Sequence, residues 1–181
     1  RIICGKNDIP VLVERSRSGK GAHLWIFFNA PIEASLARKF GFALLDKGAE
    51  SVNMTSFRFY DRMLPAQDIL ETGGLGNLIA LPLQGKALRD GNSAFVDENW
   101  NAYPDQWKIL LSTEKISRER IEGYVRLWKD TMDKIDTSNE VTDLQDDMKP
   151  WDRNRIFYKE DVAGKLHIIR SNLLYIETRN L

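Results

Sequence analysis

The stretch ERSRSGKGAHLWIFF, Glu14–Phe28, changes character halfway along. Its first half sets Arg15, Arg17 and Lys20 and two glycines, Gly19 and Gly21, around Ser16 and Ser18. Its second half is an apolar, β-rich run. With VLVERS at residues 11–16 in front of it, the pattern predicts an antiparallel hairpin closed by a Gly-containing turn. Strand alternation places His23, Trp25 and Phe27 on one face, and Ala22, Leu24, Ile26 and Phe28 on the other. Both sets are largely apolar, so this strand is expected to run centrally in a sheet covered on both sides.

The turn has the groups that hold phosphate. Backbone N–H groups reach an anion closely where glycine lets the chain approach, and Ser, Lys and Arg side chains add donors and charge. Ser16, Arg17, Ser18, Gly19, Lys20 and Gly21 supply all three kinds. His23, beside the turn, can donate to a phosphate oxygen. This is not a Walker A loop, in which Gly-Lys-Ser/Thr opens a helix; here Gly-Lys-Gly opens a strand. The same residues also suit an ordinary exposed hairpin turn with a packed structural histidine, and the turn taken alone leaves both readings open.

The rest of the chain reads as α+β. Residues 31–48 predict a helix, with Pro31 in its first turn, Gly48 at its end, and Leu36, Phe40 and Leu44 forming one apolar stripe. Gly41 weakens that helix by roughly 1 kcal/mol relative to Ala. Residues 54–64 predict a strand, followed by a turn-rich loop, PAQDILETGGLGN. LIALPLQ reads as a short strand, RDGNSAFVDENW as a turn with another short strand, and Pro104–Ser112 as a short helix. Residues 117–135 predict a helix with Ser117 as N-cap and a stripe of Ile121, Val125, Trp128, Met132 and Ile135. Residues 136–155 are polar and read as a linker, and 156–181 as a strand pair or the start of a further domain. The first residue is Arg and the last residues continue a strand pattern, so the expectation is a piece of a longer polypeptide.

Composition bounds the function. The chain has 181 residues, with 43% hydrophobic and 29% charged, ordinary values for a globular domain. Lys+Arg and Asp+Glu number 26 each, so any polyanion site is a local one rather than a broad basic surface. A single cysteine, Cys4, excludes an internal disulfide framework and suits the cytoplasm. No apolar run approaches the roughly 20 residues of a membrane span.

Two further groups carry candidate chemistry. In FRFYDRMLPAQD, Asp61 falls on the predicted strand between Arg58 and Arg62. A strand carboxylate is costly to bury unless it is paired or binds a metal, so a plain Asp–Arg pair and a metal ligand both fit. Asp68, in the following loop, is the weaker candidate. Asn77, Gln84, Arg89 and Asn92 sit in turns between apolar segments, where side chains either shape the turn or face a cleft.

Taken in order, ERSRSGKGAHLWIFF, YDRMLPAQD, GGLGNLIALPLQ and GNSAFVDENWNAYPDQW resemble the archaeo-eukaryotic primase superfamily. They look most like the primase-polymerase domain of TOTE conflict systems, near CRISPR-associated primase-polymerases. The resemblance covers roughly residues 9–112 and rests on four blocks in family order. It implies an RRM-like catalytic core of mostly antiparallel sheet with packed helices, incomplete at the N-terminus, with residues 1–135 forming the C-terminal part of that domain. It implies template-directed nucleotidyl transfer from nucleoside triphosphates, with a DNA template and primer as partners and Mg²⁺ or Mn²⁺ as cofactor. By position, Arg17, Ser18, Gly19, Lys20, Gly21 and His23 would hold the triphosphate. His23 and Asp61 would be catalytic, with Asp61 also the metal ligand and Asp68 its alternative.

One departure matters. The family's first motif is an Asp-x-Asp or Asp-x-Glu pair upstream of the phosphate turn, and residues 1–13 contain neither. The expectation is that an upstream part of the same polypeptide supplies the pair. Without it, this chain is expected to bind nucleotide weakly at best and not to polymerise. The competing expectation is a nucleotide- or nucleic-acid-binding module with a primase-like fold and no catalysis.

Overall fold

The computed structural model describes residues 1–52, 59–71, 76–128, 166–168 and 170–178. The hairpin forms where the sequence places it: β1 is Leu12–Arg15 and β2 is Ala22–Glu33, paired antiparallel with Glu14 opposite His23 and Leu12 opposite Trp25. β2 runs on past Phe28, and a register irregularity between Phe27 and Ile32 lets it continue to Glu33. After a short N-terminal helix, α1 (Ile2–Lys6), and this hairpin comes the long helix α2, Ala34–Ser51. Next come β3, Tyr60–Leu64, and a three-residue strand, β4, Ile69–Glu71. Three helices follow: α3 (Gly85–Arg89), α4 (Gln106–Ser112) and α5 (Arg118–Leu127). Strands β5 (Leu166–Ile168) and β6 (Arg170–Thr178) close the described chain. No described helix is long and apolar enough to cross a membrane.

The main sheet has four antiparallel strands in the order β1-β2-β6-β3. This α+β arrangement, an antiparallel sheet with packed helices, is the expected fold class. The alternation read from β2 holds. Ile26 and Phe28 enter the core under α2, while Trp25 belongs to a second apolar cluster on the opposite face with Leu12, Leu64, Phe95 and Tyr175. The α2 stripe also faces inward: Phe40 is fully buried and Leu44 nearly so. Gly41 is explained by packing. A Cβ there would strike the Met63 sulfur and come within 3.0 Å of Leu174, so glycine lets the helix lie close on β3 and β6.

Helix α5 packs across α2 through Phe40, which stacks on Trp128 at 6.5 Å between ring centroids. Its N-cap is Ser117, whose hydroxyl accepts from the Arg120 N–H. Ile121, Val125 and Trp128 face the core as the stripe requires; Met132 and Ile135 lie outside the described residues. The predicted linker at 136–155 and the first part of the predicted strand 54–64 also lie outside them.

Several elements differ from the sequence reading. LIALPLQ forms no strand. Leu83 has a left-handed backbone, φ 61°, and its N–H donates to Ser93 O, so the segment turns instead of pairing. The next residues coil into α3. Residues 69–71, read as loop, pair with β5 as β4. Residues 156–181 are expected to form a strand pair or the start of a further domain; in the structure β6 lies between β2 and β3 as an inner strand of the sheet. Its alternation explains why: Leu174 and Ile176 fill the core under α2, while Tyr175 fills the opposite cluster. A strand apolar on both faces is stable only where both faces are covered.

Candidate functional site

The strand register aligns one side chain from each strand of the main sheet. Glu14 on β1 pairs with His23 on β2, His23 with Glu177 on β6, and Glu177 with Arg62 on β3. The next row on the same face is Leu12, Trp25, Tyr175 and Leu64, all apolar or aromatic. A polar row therefore borders an apolar one. Above them opens a cleft of about 490 Å³ lined by Ser16, Arg17, Ser18, His23, Arg62 and Glu177 at its charged end. Leu64, Tyr175 and the irregular segment Leu78–Ala80 form its apolar end. That volume, with polar groups converging at one end, suits a small organic anion.

His23 is fixed from below. Its Nδ1 lies 2.9 Å from Glu14 Oε2, and Nε2 lies 3.8 Å from Glu177 Oε1. The Glu14 carboxylate is only 1% exposed, a position that would be costly without donors. It has three: the His23 ring, Trp25 Nε1–H at 2.8 Å and the Ser93 hydroxyl at 3.1 Å. Tyr175 packs against the His23 ring at 5.0 Å between centroids. Burial, and then the nearby Glu177 and Glu14 charges, raise its phenol well above the usual range, so it is a neutral wall at physiological pH.

The turn is built tightly. Ser16 N–H donates to Gly21 O, Gly19 N–H to Ser16 O, and Gly21 N–H to the Ser16 hydroxyl. Gly19 has φ 75°, and a Cβ there would fall 2.7 Å from Asn92 Oδ1, so glycine is required on both counts. Asn92, noted in the sequence as a turn residue, thus buttresses this turn. The N–H groups of Arg17 and Ser18 have no partner among the described residues. Arg15, the first cation of the motif, is committed elsewhere: it donates to the carbonyls of Gly91 and Trp100.

The predicted residues are not all brought together. Arg17, Ser18 and His23 line the cleft; Gly19 and Gly21 shape the turn; Lys20 is exposed on it and does not line the cleft. Asp61 sits at an irregularity of β3, between the paired positions Tyr60 and Arg62. Its carboxylate is 3.2 Å from Arg62 Nε, and the same Nε is 3.3 Å from Glu177. Arg62 thus links Asp61 to the polar row, and the Asp61 charge is the main cause raising its guanidinium's proton affinity. Burial, and then Asp61, push the Tyr60 phenol up to about 12.

Asp68 lies elsewhere. It is buried in an ion pair with Arg38 of α2, whose guanidinium lies 5.6 Å from the centre of the Phe42 ring. Breaking one side of such a pair leaves a buried charge. Asp68→Ala is expected to lower unfolding free energy by about 3 kcal/mol and to leave anion binding in the cleft unchanged. Urea unfolding and equilibrium binding measure the two.

Sequence reasoning missed Glu14, Ser93, Tyr175 and Glu177 as parts of the site. Glu14 had a usable signal, because alternation across a short hairpin puts it beside His23. The others depend on long-range pairing.

The family described as "TOTE conflict system, Archaeo-Eukaryotic Primase domain" matches residues 1–124, over half of the chain. The chain belongs to this family, which implies primase-like nucleotidyl transfer at the level of the family. No curated protein and no solved structure matches it.

Proposed function

We propose that the cleft binds a nucleoside triphosphate for template-directed nucleotidyl transfer on DNA by the protein to which this domain belongs. The cleft's two ends carry the reading. Arg17, Ser18 and His23 gather at one end and an apolar wall at the other, as a triphosphate joined to a sugar and base requires. Arg17 supplies charge, the Ser18 hydroxyl and the N–H groups of Arg17 and Ser18 supply donors, and His23 donates from Nε2. Lys20, on the rim, adds attraction at longer range. Glu177 faces His23 and Arg62, so an incoming phosphate takes over donors that now face this carboxylate.

Divalent metal, Mg²⁺ or Mn²⁺, belongs to the proposal, with Asp61 as the residue of this chain that would contact it. Bound metal would lower the barrier by activating the attacking 3′-hydroxyl and stabilising the leaving pyrophosphate. Arg62 already faces both Asp61 and Glu177, so the described residues do not by themselves make a complete ligand set.

Primer synthesis on a DNA template by the protein to which this domain belongs, with and without His23→Ala, tests the reading. Synthesis is expected to need His23, and unchanged synthesis by the variant would remove His23 from the site. A second reading, a nucleotide-binding module without catalysis, has its own support: the Arg62 guanidinium lies against both Asp61 and Glu177. Binding of inorganic triphosphate without any primer synthesis would favour it.

A further inference from the structure

We propose that Arg17, Lys86 and Gln84 form a second anion subsite beside the cleft, and that its ligand is inorganic pyrophosphate. The inference deepens the nucleotidyl-transfer reading and rests on it for the source of that anion. A smaller concavity of about 290 Å³ is lined by Arg17, Gln84, Lys86, Ala87 and Asp90. Arg17 lines the main cleft as well, so one guanidinium borders both spaces.

The two walls of this concavity are tied together. One is the turn that carries Arg17. The other is the excursion through α3, residues 84–92, closed at its base where Leu83 N–H donates to Ser93 O. Ser93 N–H donates to Ser16 O, Arg15 donates to Gly91 O at 2.8 Å, and Asn92 packs against Gly19. Gln84 is anchored at the same base: its backbone N–H donates to the Ser93 hydroxyl and its side-chain NH₂ to Leu81 O. One N–H of that NH₂ is left for a ligand.

The lining selects the ligand. Arg17 and Lys86 are exposed cations with no ion pair among the described residues, whereas Arg15 is held by two carbonyls. Two cations and an amide on one concavity are a donor set for phosphate oxygens. Ala87 is the one apolar residue on the wall, so nothing there covers a base. A whole nucleotide needs an apolar face, which the main cleft has, and a bare diphosphate does not. Nucleotidyl transfer releases such an anion. The 3′-oxygen bonds to the α-phosphorus, the P–O bond between the α- and β-phosphates breaks, and its electron pair leaves on pyrophosphate. Because Arg17 borders both spaces, the product can move from the cleft to the subsite against one guanidinium. Asp90, the one carboxylate on the wall, repels the anion, which suits a site that has to let it go.

Amide NMR of the full chain, titrated with inorganic pyrophosphate, tests the subsite. The Gln84 side-chain NH₂ and the Ala87 N–H report on it, and the Ser18 N–H reports on the main cleft. Saturable shifts are expected at Gln84 and Ala87. Lys86→Ala is expected to weaken that binding about fivefold and Asp90→Asn to tighten it about threefold, as partly screened charges require. Both side chains are exposed, so neither change disturbs packing. In both variants the Ser18 signal is expected to titrate with inorganic triphosphate much as in the wild type.

The absence of a saturable shift at Gln84 and Ala87, or equal affinity in the wild type and both variants, overturns the proposal. So does a single-stranded DNA oligonucleotide that moves these signals where pyrophosphate does not, because the concavity then belongs to a nucleic-acid backbone. If Gln84 and Ala87 respond as expected while Ser18 titrates with neither inorganic triphosphate nor a nucleoside triphosphate, the pyrophosphate subsite stands and the triphosphate reading of the cleft fails.

Discussion

Leu174→Ala is expected to lower the unfolding free energy by about 3 to 5 kcal/mol, the upper part of the range for a buried leucine truncated to alanine. Leu174 is fully buried in β6, directly opposite Ile26 of β2. Its methyl groups lie against Gly41, at the closest approach of α2 to the sheet. Because Gly41 has no side chain to move into the space, the helix side of the cavity left by truncation has little to collapse into it. Urea unfolding followed by tryptophan fluorescence measures the loss, with Asn172→Ala, exposed on the same strand, as the near-neutral control. The prediction separates two architectures. If residues 156–181 belonged to an independent unit, the transition of the core containing Trp25 would not move. If β6 is the inner strand, that transition moves with Leu174.

This strand also marks the boundary of what the sequence makes legible. The β1–β2 hairpin, the inward stripe of α2 and the Ser117 cap are local features, set by alternation, helical period and one hydroxyl, and each could be placed from a dozen residues. The partner of β2's second edge is not local. Tyr175 and Glu177 reach His23 only after more than a hundred intervening residues, and nothing in RSNLLYIET states which edge it will join or in what register. The site divides the same way. The turn and His23 could be read as phosphate-binding chemistry, and the family resemblance strengthened that reading. The row Glu14–His23–Glu177–Arg62 exists only once the register of three strand pairs is known. Asp68 shows the converse. Its loop position suggests a site residue, but Arg38 lies 30 residues away in sequence and meets it only in the fold.

His23→Ala is expected to weaken binding of a nucleoside triphosphate roughly ten- to a hundred-fold, as loss of one charge-assisted hydrogen bond of about 1.5–3 kcal/mol requires. The effect should follow phosphate and not base. Inorganic triphosphate should lose affinity by the same factor as the nucleotide, because His23 stands at the charged end of the cleft and Leu78–Ala80 at the other. Removing the ring also takes one of three donors from the buried Glu14 carboxylate, so some loss of stability accompanies the loss of affinity. Titration calorimetry well below the unfolding temperature keeps the two apart. A His23→Ala protein that stays folded and binds triphosphate as tightly as the wild type would return the histidine to a purely structural role. The buried acceptor beneath it would then be a packing device, and Arg17 with the Ser18 hydroxyl would have to hold the anion by themselves.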